Sequence, residues 1–143
     1  MTVKQISVFL ENKRGRLAEV TAILQSEGIN IRALALADTA DFGVLRIIVS
    51  DADACIRALR ERGFIAQATQ VIAVEIPDRP GGLNAVLALL DKAAINIEYM
   101  YAFVERMRSN AVVIFKIDDP ARATAALEKE GVPILTEQAL KTL

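Results

Sequence analysis

The chain has 143 residues, 17 basic and 18 acidic, with a single Cys and no His. That length holds one average domain or two small ones, and 53% hydrophobic residues supply a core with apolar surface left for an interface. A net charge of −1 without a basic stripe argues against nucleic acid, the missing His removes Ser-His and Cys-His nucleophile pairs, and no apolar run approaches the ~20 residues a bilayer requires.

In chain order, "VKQISVFLE" alternates apolar and polar residues and is β-branched, which predicts a strand. "NKRG" interrupts it. Leu17, Val20, Ile23 and Leu24 then recur at helical spacing, and Gly28 ends that helix. "NIRALALAD" reads as a second strand, "TADFG" as a turn and "VLRIIVSD" as a third strand. Asp51 or Asp53 can cap a second helix that carries Cys55, Ile56 and Leu59 and stops at Gly63. "FIAQATQV" is a fourth strand.

The second half repeats the order. "QVIAVEIPD" is a strand and "RPGG" the break; Leu83, Val86, Leu87 and Leu90 form a helical stripe. "NIEYMYAFVE" and "NAVVIFKID" are strands around a turn at Arg106 to Ser109. Asp119 as N-cap and Pro120 at the first position begin a helix that ends at Gly131. "PILT" is a short last strand, with Pro133 suited to an edge.

Ile29-Asn30-Ile31 returns 66 residues later as Ile95-Asn96-Ile97, and Gly15 with Leu17 returns as Gly81 with Leu83 at the same spacing. The spacing drifts to 67 between Asp51 and Asp118 and to 68 between Gly63 and Gly131, the mark of a duplication with insertions in loops. Each half is strand-helix-strand-strand-helix-strand, so the expected fold class is α+β, with two ferredoxin-like (βαββαβ) units in tandem. Right-handed crossovers place both helices on one face of each antiparallel sheet. The expected domains are 1–70 and 71–143.

The other sheet face carries apolar residues as well. By alternation Ile97, Tyr99, Tyr101 and Phe103 point one way and Glu98, Met100, Ala102 and Val104 the other. Such a face seeks a partner, the sister half or a second chain, so a homodimer is expected. The first half has Ala33, Ala35 and Ala37 where the second has the aromatics, and without basic companions the aromatics read as interface packing rather than base stacking.

Little catalytic chemistry remains. One Cys and carboxylates make a poor zinc set, and neither a P-loop nor a dinucleotide fingerprint is present, so no metal and no cofactor are expected. Asp51, Asp53, Asp118 and Asp119 are explained by capping. Cys55 reads as a small buried apolar residue, and a lone Cys fits the reducing cytoplasm. An acylphosphatase-like hydrolase on the same fold would need an Arg cradle with a paired Asn, for which only Arg14 and Arg16 offer themselves.

"NKRGRL" at 12–17 and "DRPGGL" at 78–83, joined to "GINI" at 28–31 and "AINI" at 94–97, resemble the ACT domain, a small regulatory amino-acid-binding module. Its pattern reads D/N-x-P-G-x-L, followed some fifteen residues on by (G)-x-N-I. Arg14 replaces the Pro in the first copy and Ala94 replaces the Gly in the second. The resemblance covers nearly the whole chain and implies a stand-alone pair of such domains without an enzyme domain. It implies an amino-acid ligand at an interface between units, lined by the loop after the first strand, and a partner enzyme of amino-acid metabolism. The implied binding residues are Asn12, Arg14, Gly15, Arg16, Leu17, Asn30 and Ile31 in the first half. In the second they are Asp78, Pro80, Gly81, Gly82, Leu83, Asn96 and Ile97.

The residues support that chemistry independently. A helix starting after Gly15 or Gly81 offers N–H groups and partial positive charge to a carboxylate, and Asp78 offers an anion to an ammonium group. Asn12 and Asp78 equally suit capping of a helix or turn. Each Asn between the isoleucines suits the tight helix-to-strand turn as well as a ligand contact. A protein-interaction scaffold without a ligand is the alternative function, favoured by the two departures from the pattern.

Overall fold

The computed structural model describes residues 1–38, 41–104 and 109–142. They form two compact units, Lys4–Thr69 and Gln70–Leu143, the latter together with Met1–Val3.

The first unit contains β1 (Val3–Glu11), α1 (Arg16–Ser26), β2 (Ile31–Asp38), β3 (Phe42–Val49), α2 (Ala52–Glu61) and the start of β4 (Ile65–Pro77). Its strand order is β2-β3-β1-β4. Ile6 lies opposite Ile47 and Val8 opposite Leu45, so these side chains share one face. Onto that face pack Val20, Ile23 and Leu24 of α1 and Cys55, Ala58 and Leu59 of α2. Leu24, Leu45 and Leu59 are almost completely buried, a stabilisation of about 1.5–3 kcal/mol each.

The second unit continues β4 and adds α3 (Gly82–Lys92), β5 (Ile97–Ala102), β6 (Asn110–Ile117), α4 (Pro120–Lys129) and β7 (Ile134–Leu135). The order β7-β4-β6-β5 repeats the spatial order of the first unit. Val86 and Leu90 of α3 and Ala123 and Leu127 of α4 cover Ile72, Val74, Phe115 and Ile117. Each unit is therefore an antiparallel sheet with both helices on one face. The two strands expected on either side of residue 70 are one 13-residue strand; Gln67–Ala73 contains no Gly or Pro to interrupt it.

Helix starts follow the sequence. Asp51 accepts from the Ala54 N–H at 3.1 Å and Asp119 from the Arg122 N–H at 3.1 Å. Asp53 instead pairs with Lys4 at 3.2 Å. A final short helix, α5 (Glu137–Lys141), was not expected. Thr136 caps it, accepting from the Ala139 N–H at 3.1 Å.

One face assignment is corrected. Ile97 lies opposite Ile117, but a register shift follows, and Tyr99 and Tyr101 lie opposite Lys116 and Ile114. The extra residue at Glu98 reverses the alternation, as a bulge does. Ile97 packs on the helix-covered core, whereas Tyr99 and Tyr101 share the opposite face. A matching shift occurs between Ile31 and Ala33. The turn expected at Arg106 to Ser109 lies, Ser109 apart, outside the described residues, as do Thr39 and Ala40 of the turn at 39–43.

The helix-to-strand turn is carried by Gly28 and Ala94, not by the asparagines. Gly28 has φ 67° and Ala94 φ 56°, the latter alone among the described non-glycine residues in having positive φ. The Gly28 N–H donates to the Gln25 carbonyl and Ile29 to Leu24; Ala94 donates to Asp91 and Ile95 to Leu90. Both turns are Schellman motifs, where Gly is favoured because it has no Cβ. Ala94 is held there with help from α4: the Arg122 guanidinium donates to the Ala94 carbonyl at 2.9 Å and also to the Ala93 carbonyl. Ala94→Gly should therefore stabilise the protein by about 1 kcal/mol, raising the melting temperature by a few degrees in a calorimetric scan.

Candidate functional site

Each unit turns from strand to helix through a glycine in the left-handed region, Gly15 at φ 88° and Gly81 at φ 86°. A side chain is disfavoured there. The backbone bonds match one for one. Lys13 N–H donates to the Glu11 carbonyl at 2.8 Å and Arg79 N–H to Pro77 at 2.9 Å. Arg16 N–H donates to Lys13 at 3.3 Å and Gly82 N–H to Arg79 at 3.0 Å. With glycine at both N-caps, no N-cap side chain takes a first-turn N–H.

The side chains on these two identical turns differ. In the first unit Glu11 pairs with Lys13 at 2.9 Å and Arg16 at 3.6 Å, and Arg16 also pairs with Glu19 at 2.9 Å. The hydrogen bond and charge of Lys13, aided by the charge of Arg16, hold the Glu11 carboxyl below its usual range. The Arg16 guanidinium sits 4.9 Å from the centre of the Phe64 ring. Two of the three cations of this loop, Lys13 and Arg16, are thus engaged by acids of their own unit. Arg14 is exposed and makes no ion pair among the described residues.

In the second unit the turn borders a crevice of about 350 Å³. Arg79, Pro80, Gly81 and Gly82 form its rim, and Ala85, Val86 and Leu89 of α3 form one wall. Glu75, Pro77 and the connection Gly131–Pro133 form the other. Gly82 is buried because its backbone is pressed on the end of β4: a Cβ built there would lie 2.1 Å from the Pro77 carbonyl oxygen. The Glu75 carboxylate accepts from the Asn110 side-chain amide at 2.7 Å.

Of the residues expected at the site, Pro80, Gly81 and Gly82 line this crevice; Asp78, Leu83, Asn96 and Ile97 are not among its walls. Leu17 and Leu83 are partly exposed on the first helical turns, outside the cores. Asn30 and Asn96 are exposed. Asn30 uses its backbone, donating to the Ser50 hydroxyl at 3.0 Å and accepting from the Ser50 N–H at 3.0 Å. Ile31 and Ile97 pack at the margins of the cores. The wall at Gly131–Pro133 lies outside the residues expected at the site, although Gly131 is the counterpart of Gly63. Cys55 is inert to ionisation: burial first, then the Asp51 carboxylate, push its thiol up to about 12. Among the described residues no cluster of three His, Cys, Asp or Glu could hold a metal, and no helix is long and apolar enough to cross a membrane.

Two ferredoxin-like units, each with a left-handed glycine at the head of its first helix, define a tandem of small α+β modules. The chain belongs to the ACT domain pair family, whose model matches residues 1–143. A crystallised protein of Bacteroides thetaiotaomicron is 40% identical, with a TM-score of 0.94 over 100% of this chain and 98% of that one. The ligand-free regulatory subunit of aspartate kinase from Thermus thermophilus shares the fold at 16% identity and a TM-score of 0.64, over 88% of this chain and 91% of that one. The Thermus flavus subunit does so at 15% and 0.60, over 88% and 90%. No curated protein matches the chain.

The Gly82 contact gives a direct test. Gly82→Ala forces the Pro77 carbonyl or the start of α3 to move. The expected loss is about 1–3 kcal/mol, measured as a lower urea midpoint.

Proposed function

We propose that the chain is a non-catalytic regulatory protein that binds a free amino acid through its ACT pair and modulates a partner enzyme of amino-acid metabolism. The observation that carries this reading is the crevice of about 350 Å³ opening against Pro80, Gly81 and Gly82, part of the loop that bears the family motif. A small concave site with apolar walls and few polar groups is the usual form of a small-molecule site. Membership of the ACT pair family supports the regulatory role, and the aspartate kinase regulatory subunits supply an example of this fold serving as a separate regulatory chain. The cytoplasm, where free amino acids and their enzymes meet, is the compartment this reading requires.

The active form is a homodimer. β2 is an edge strand of the first unit, and Leu34 and Leu36 on it are 46% and 53% exposed. An unpaired edge with exposed apolar side chains is a template for association. Light scattering at micromolar concentration is expected to give twice the 15.5 kDa chain mass; the mass of a single chain rejects the dimer.

A thermal-shift screen of the twenty amino acids tests the ligand class. At a hundred times Kd, binding to the native state alone adds about 2.7 kcal/mol, a readily measured rise in melting temperature. No shift with any of them would replace this reading by the ligand-free scaffold.

A further inference from the structure

We propose that the two copies of the crevice have diverged into one plugged and one open, and that the open one, in the second unit, takes an amino acid with an uncharged aliphatic side chain. This rests on the amino-acid-binding reading above and assigns its place and chemistry.

Arg16 in the first unit is held by Glu11, Glu19 and the Phe64 ring. At the spacing of 66, Glu11 and Glu19 correspond to Pro77 and Ala85, and Arg16 itself to Gly82. Phe64 corresponds to Val132 at the spacing of 68, and the backbone confirms that match. Phe64 N–H donates to Leu59 and Val132 N–H to Leu127, each at 3.0 Å, one residue after a left-handed glycine. All four second-unit counterparts line the crevice. The first unit thus fills this position with its own guanidinium, two carboxylates and an aromatic ring. The second has none of the four and leaves space there. The plug cannot re-form from position 82, because any Cβ there collides with the Pro77 carbonyl.

What replaced the plug indicates the ligand. The two acids that would hold a cationic side chain are now Pro77 and Ala85. With Val86, Leu89 and Val132 they make an apolar wall suited to a branched aliphatic group. Two polar features remain for the backbone groups of a zwitterion. Arg79 occupies the place of Lys13, but the Glu11 that pairs with Lys13 has become Pro77. Among the described residues the guanidinium of Arg79 makes no ion pair, so it is available to a carboxylate. On the opposite wall, Glu75 N–H donates to the Pro133 carbonyl at 3.0 Å. The antiparallel partner would ordinarily return an N–H to the Glu75 carbonyl, and proline has none to give. That carbonyl is an acceptor for an ammonium group.

The test is calorimetric titration of the full chain with leucine, isoleucine and valine, and with glutamate, lysine and arginine as charged comparators. One aliphatic amino acid is expected to bind per chain, ahead of the charged ones. Val132→Phe, which restores the first unit's aromatic ring, should abolish binding. Arg79→Ala, at an exposed position, should weaken it at least ten-fold, and this variant decides the matter if Val132→Phe lowers the ligand-free melting temperature. Aliphatic binding unchanged in Arg79→Ala and in a stably folded Val132→Phe would put the site elsewhere and leave the amino-acid reading intact. Preference for a charged amino acid would overturn the aliphatic assignment, and two ligands per chain would overturn the plugged first copy. If none of the twenty amino acids binds, both this inference and the reading beneath it fall.

Discussion

A left-handed residue at the exit of a strand is the constraint on which each unit depends. Gly15 and Gly81 reverse the chain within a few residues, so that α1 and α3 begin almost where β1 and β4 stop. Without that reversal the first helix could not lie back over its sheet, and neither core would close. The same geometry makes glycine the N-cap, so both helices begin without an N-cap side chain. The cost of any other residue at this φ explains why the glycine stands in both copies, even though almost every side chain around it has changed.

The divergence of the two turns shows what the backbone leaves open. The pairs around Glu11 are exposed, and contacts of that kind add little to stability; the guanidinium over Phe64 adds modestly to them. Their removal from the second copy therefore carried a small penalty in stability. An apolar crevice is different, because its walls forgo dispersion contacts on one side. The crevice of about 350 Å³ lies beside a glycine that admits no side chain, so the turn itself cannot fill it.

Much of this was legible in the residues. The repeated Ile-Asn-Ile, the paired glycines, and Asp51 and Asp119 as caps describe the element order, because capping and left-handed turns are local physics written in single residues. The crossover handedness then leaves few alternatives for the topology. What was illegible depends on non-local or unmarked events. The bulge at Glu98 carries no Gly to announce it, so strict alternation grouped Tyr99 and Tyr101 with Ile97, although they lie on the other face. The crevice is built from Glu75 through Leu89 and from Gly131 through Pro133, segments joined only by the fold. Asparagines that look like turn residues proved to be bystanders at a turn carried two positions earlier.

The placement of the crevice bears on how occupancy could be converted into regulation. A ligand changes a conformational equilibrium only to the extent that it binds two states unequally. Here the walls belong to separate elements, α3 on one side and the connection from α4 to β7 on the other. At its far end α3 is already tied to α4, because Arg122 donates to the Ala93 and Ala94 carbonyls. At its near end the tie is a glycine turn and the contact of Gly82 on β4. A group bridging α3 and the Gly131–Pro133 connection would add a tie at the end of α3 opposite the one that Arg122 holds. The energy available for that is the difference between filled and empty walls, which grows with the apolar area the ligand covers. On the proposed reading, an aliphatic side chain in the crevice would stabilise one placement of α3 against the Gly131–Pro133 connection, in proportion to the apolar area it covers.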